Sequence, residues 1–105
     1  MYFDELGLAC GNLAETYRVL GKFDQAEPLY KRAMQITEKT YGRNNPNTAN
    51  VLFNTGLLCY SRKEYKKAVE LVAEATDIME KTLGADHPET IRYKDNLKNL
   101  RKMMD

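Results

Sequence analysis

The chain has 105 residues, 43% of them hydrophobic and 30% charged, and its 16 basic residues nearly cancel its 15 acidic ones to leave a net charge of +1. That length fits one domain able to bury roughly 65% of the surface its unfolded form exposes, and the composition argues against a disordered or membrane class. A nucleic-acid binder would carry a basic excess, seen here only in the short Lys98, Arg101 and Lys102 group.

From Phe3 to Leu20, apolar residues recur at three- and four-residue steps (Phe3, Leu6, Ala9, Cys10, Leu13, Ala14, Tyr17, Leu20), the spacing of one face of a helix. Gly21 stops it. Phe23, Ala26, Leu29, Tyr30, Ala33, Ile36 and Tyr41 carry the period through a second helix. An N-cap at Asp24 would place Pro28 in the opening turns, where a missing N–H matters least. Gly42 ends this helix, Asn45 is a natural N-cap, and Pro46 opens a third helix running to about Ser61. Its apolar stripe is Val51, Leu52, Thr55, Leu58 and Cys59. A fourth helix covers roughly 64–83, and the segment from Gly84 to Pro88 repeats the stop and the start. His87 reads there as an N-cap or turn residue. The fifth helix places Ile91, Leu97, Leu100 and Met104 on one side. Short connections imply antiparallel neighbours. Cys10 and Cys59 lie inside apolar patterns without CxxC spacing, which points to buried free thiols.

The second and fourth helices are copies of one pattern. Ala26, Leu29, Ala33, Ile36, Glu38, Lys39, Thr40, Gly42 and Pro46 return 42 positions later as Ala68, Leu71, Ala75, Ile78, Glu80, Lys81, Thr82, Gly84 and Pro88. A period of a few tens of residues marks a repeat protein, whose units bury their apolar faces against neighbours. Such a chain reads as a binding scaffold.

At these residues the sequence resembles the tetratricopeptide repeat, in the 42-residue form of kinesin light chains and nephrocystin-like proteins. The small-residue positions match Ala14, Ala26 and Ala33, then Gly56, Ala68 and Ala75. The large-residue positions match Leu13, Tyr17 and Tyr30, and less faithfully Thr55, Cys59 and Val72. The run from Glu80 to Pro88 is similar to the junction between kinesin light chain repeats. The resemblance implies an all-α, right-handed superhelix of two antiparallel helix hairpins plus a C-terminal capping helix. It divides one domain into repeats at about 3–45 and 46–87 and a cap at about 88–104. Lys98 follows Ala14 and Gly56 in register and Arg101 follows Tyr17 and Cys59, so the fifth helix reads as a cap with a polar outer face.

In this family the first helices of successive units line a concave groove that commonly holds an extended peptide. Carried over by position, the lining is Leu8, Gly11, Asn12, Glu15, Arg18 and Val19 from the first helix. The third supplies Asn50, Phe53, Asn54, Leu57, Tyr60 and Ser61. The fifth supplies Arg92, Asp95, Asn96, Asn99 and Lys102. Asn12, Asn54 and Asn96 occupy one place in successive units, and asparagines at the matching position in kinesin light chains hold peptide backbone. An amide carries donors and an acceptor, so a ladder of them suits the N–H and C=O groups of an extended chain. The alternative is that each amide bonds a neighbouring helix and fixes repeat spacing. Phe53, Leu57 and Tyr60 would offer an apolar pocket for one ligand side chain, although Phe53 could equally join adjacent repeats. Arg18, Arg92 and Lys102 against Glu15 and Asp95 leave a slight basic bias.

No Gly-rich phosphate loop, metal-ligand pair or nucleophile motif is present, so no enzyme, cofactor or metal is expected. The expectation is a cytoplasmic scaffold that binds a protein or peptide ligand, with no nucleic-acid or membrane partner; no apolar run reaches the roughly 18 residues of a membrane span. Two alternatives stay open. Tyr2, Phe3 and Leu6 make the start of the first helix apolar on more than one side, which would suit homo-oligomeric docking or continuation of a longer array. The repeat also occurs in sensor segments of larger signalling proteins.

Overall fold

A computed structural model describes the backbone of residues 2–104 and the side chains of residues 9–104. Its five helices follow the expected order: α1 (Tyr2–Val19), α2 (Phe23–Tyr41), α3 (Pro46–Ser61), α4 (Tyr65–Leu83) and α5 (Pro88–Met104). α1 pairs with α2 and α3 with α4 as antiparallel hairpins, α2 packs on α3, and α5 packs on α4. No described helix is long and apolar enough to cross a membrane.

The junctions follow from local chemistry. Gly42 and Gly84 end α2 and α4 at φ of 84° and 94°, a region that residues with a Cβ enter only at a cost. Asn45 caps α3, its Oδ1 accepting from the Asn47 N–H at 2.8 Å, with Pro46 in the first turn. His87 Nδ1 accepts from the Glu89 N–H at 3.1 Å and so opens α5. Asp24, expected to cap α2, does not. The helix begins at Phe23 with Lys22 in the cap position and no side-chain cap bond, and Asp24 instead accepts from Arg62 at 2.6 Å. α2 runs unbroken through Pro28.

Small residues set the helix spacing. Ala14, Ala26, Ala33, Ala68 and Ala75 are completely buried. A Cβ added at Gly56 would stand 2.7 Å from Val72 Cγ2 and 3.3 Å from the Ala68 carbonyl, so α3 approaches α4 nearly to backbone contact. Ala14, Ala26, Tyr30 and Leu58 tie the first hairpin to α3. Leu52, Phe53, Val72, Met79, Tyr93 and Leu97 tie the second to α5. The apolar interior is therefore a row of stacked interfaces, as neighbour burial in a repeat protein requires. Cys10 and Cys59 are buried free thiols, and burial pushes the Cys59 thiol up.

Some positions differ from the helical-period reading. The buried stripe of α5 is Thr90, Tyr93, Leu97 and Leu100, whereas Ile91 and Met104 are exposed. Leu13, matched to a large core position, is 46% exposed because the buried side of α1 is spent on Ala14 and its contacts with α2. Thr48 and Thr90 are fully buried polar residues. Thr48 Oγ1 donates to the Gly42 carbonyl at 2.7 Å and Thr90 Oγ1 to the Met79 carbonyl at 3.3 Å, fastening each helix start to the helix before it.

Candidate functional site

Helices α1, α3 and α5 each present a polar stripe made by the same register positions. Asn12, Asn50 and Asn99 are exposed, and Asn54 and Asn96 are half-buried. The amides are not equivalent. Asn54 Nδ2 donates to Asn50 Oδ1 at 2.7 Å, so α3 carries a linked amide pair. Asn96 Nδ2 donates to the Arg92 carbonyl one turn back at 2.9 Å. Both bonds stay within one helix, which leaves the amide carbonyls of Asn54 and Asn96 as acceptors.

The cations are held by their surroundings. Arg18 Nη2 lies 4.0 Å from Glu15 Oε1, and only 19% of its side chain reaches solvent. Burial pushes the Tyr30 hydroxyl up, an effect that neighbouring Arg18 partly opposes. Arg92 bonds Glu89 Oε2 at 2.8 Å, and this partner holds its guanidinium above the ordinary range. The same guanidinium lies 5.2 Å from the Phe53 ring centroid and 5.3 Å from that of Tyr93.

Phe53 requires a correction. It is 3% exposed and stacks on Tyr93 with centroids 4.1 Å apart and planes within 6°. The expected pocket of Phe53, Leu57 and Tyr60 is therefore not open at Phe53, whose ring joins α3 to α5 beneath Arg92. Leu57 is half-buried against the same core, and Tyr60 is 37% exposed with its ring tilted on Tyr65. Asp95 is exposed. Lys102, expected in the groove, instead rims a hollow between α4 and α5 together with Lys98 and Arg101. Leu8 of the groove, with Tyr2, Phe3 and Leu6 of the docking face, lies outside the residues whose side chains are described.

The Phe53, Tyr93 and Arg92 stack escaped the sequence reading. Phe53 has Asp95 as its register partner, so the repeat gives no sign that it pairs with Tyr93. The buried threonines escaped it too, although Thr48 recurs as Thr90 at the 42-residue spacing. Among the described residues no group of His, Cys, Asp and Glu side chains is arranged to hold a metal.

Helix hairpins stacked through small residues, with a polar stripe on alternate helices, define the class of helical-repeat scaffolds. The tetratricopeptide repeat family model matches residues 6–81, and the chain belongs to that family. Its members are in general non-catalytic modules that mediate protein–protein interactions. The chain is 26% identical over 85 residues to the human clustered mitochondria protein homolog, covering 81% of this chain and 6% of that protein. It is 31% identical over 81 residues to the protein kinesin light chain-related 3 of Arabidopsis thaliana, covering 77% of this chain and 12% of that protein. It is 35% identical over 68 residues to the human protein O-mannosyl-transferase TMTC1, covering 65% of this chain and 7% of that protein. The matches thus span only 6% to 12% of these relatives' lengths.

Proposed function

We propose that the stripe shared by α1, α3 and α5 binds an extended peptide or protein segment, with Asn12, Asn54 and Asn96 contacting its backbone. The supporting observation is the amide ladder, repeated in register, partly solvated and with carbonyl oxygens left to accept. Arg92, fixed over two aromatic rings, is a pre-ordered cation beside Asn96 and sets a preference for an acidic ligand side chain or a C-terminal carboxylate. Asn50, Tyr60 and Asn99 extend the surface. The test is a peptide selected from a displayed random library and titrated into wild type and Asn54→Ala. Loss of one amide that holds backbone should cost about 1–3 kcal/mol, or roughly 5- to 150-fold in affinity. Unchanged affinity, or a library with no binder, contradicts the reading.

Leu13 of α1 and Leu20 just past its end, 46% and 62% exposed, favour a second reading in which this face joins two copies of the chain. A single monomer mass across a sedimentation-equilibrium concentration series would remove it.

A further inference from the structure

Lys94, Lys98 and Arg101 of α5 stand where Leu52, Gly56 and Cys59 stand in α3, one repeat earlier. In α3 these positions are buried against α4, with Leu52 and Cys59 each 4% exposed. Gly56 lies so close that a Cβ would meet Val72 Cγ2 at 2.7 Å. A lysine at the corresponding place in α5 prevents a helix from approaching at that distance. What the face offers instead is charge. Together with Lys102, the three cations rim an open hollow of about 450 Å³ between α4 and α5, with Thr76 and Leu97 buried beneath it.

The hollow has four cations and one carboxylate, Glu80, whose Oε2 lies 3.7 Å from Lys94 Nζ. Complementing the helix dipole accounts for Arg101 and Lys102, which lie in the last turn of α5. It does not account for Lys98 and Lys94, one and two turns further in. At 100° per residue the row of Lys94, Lys98 and Arg101 stands roughly 140–200° around α5 from Asn96, so it is separate from the amide stripe.

We infer that this hollow is a docking site for an acidic polypeptide segment with carboxylates one helical turn apart. The i, i+4, i+7 row spans about 10 Å, the length over which a facing helix presents three carboxylates at the same spacing. The aliphatic lysine stems, lying over buried Leu97, supply apolar surface for the segment's non-charged positions. A polynucleotide fits less well. Its phosphates run on past the hollow, and the chain's net charge of +1 leaves little basic surface there to meet them.

The experiment is fluorescence anisotropy at about 50 mM salt, where exposed charges are weakly screened. The probe is a labelled helical peptide with glutamates at i, i+4 and i+7 over two repeats, and its glutamine counterpart is the reference. Wild type binds the glutamate peptide about tenfold more tightly than the glutamine one, and K98Q/R101Q removes about tenfold of that affinity. Both side chains are exposed, so the variant keeps the fold, and Lys98→Glu gives a second, larger loss. Asn54→Ala leaves this binding unchanged, which separates it from the amide stripe. Equal affinity for the two peptides, no effect of K98Q/R101Q, a loss in Asn54→Ala, or tighter binding of an oligothymidine of equal charge would each overturn the inference.

Discussion

Tyr93 is completely buried, and its hydroxyl makes no hydrogen bond to a described residue. Burial raises its pKa from 10.0 to about 12, and burial also pushes Tyr30 up. A value raised in the folded state means that stability is present in full below pH 10 and is lost as pH climbs from 10 towards 12. Urea-unfolding midpoints should therefore hold steady through neutral and mildly alkaline pH and fall across that window. Tyr93→Phe should shrink the alkaline loss. It should also leave stability at neutral pH within about 1 kcal/mol of wild type, because it removes a buried polar atom that has no partner among the described residues. A pH-independent midpoint across the window would contradict a hydroxyl held neutral by burial, and a larger loss in the variant would show that the hydroxyl is bound to something. The ring itself is needed, since its stack on Phe53 joins α3 to α5 and carries Arg92.

Elements were legible where backbone chemistry decides. Gly42, Gly84, Asn45 and Pro46 mark ends and starts that the structure reproduces, because a positive φ, a capping amide and a fixed φ are properties of single residues. What helical spacing does not reveal is which neighbour meets which face. Leu13 and Ile91 have core spacing yet reach solvent, and Thr90 and Tyr93 are buried although the period pointed to Ile91 and Met104. Asp24 was drawn from its expected cap by Arg62, a partner 38 residues away and invisible to local pattern. Within the candidate site the amide register was legible; for Phe53 the structure selects the contact between adjacent repeats over the open pocket, and its partner Tyr93 was not legible. Two glycines, one in α1 and one in α3, show the same lesson as a pair. Gly56→Ala pushes a methyl onto Val72 and should destabilise by about 1–3 kcal/mol despite alanine's better helix propensity. Gly11→Ala meets nothing within 4 Å and should stabilise by about 0.5–1 kcal/mol. Denaturant titrations read both. Equal effects of one sign would mean that propensity, and not the α3–α4 approach, governs these positions.

At the scale of the molecule, α1 meets α3 and the Phe53–Tyr93 stack joins α3 to α5, so that one polar stripe recurs on three helices. On the proposed reading such a surface would follow the period of an extended backbone more than any single side chain, with Arg92, held over Phe53, adding a preference at one end. Further cations on the far side of α5 give the chain a second, differently charged face. The measurement that tests the account most directly is two-dimensional amide NMR of the chain titrated with a library-selected peptide. Side-chain amide signals of Asn12, Asn54 and Asn96 should move together, with the Arg92 guanidinium alongside them. Shifts confined to α2 and α4, or to the Lys94, Lys98 and Arg101 face, would contradict it.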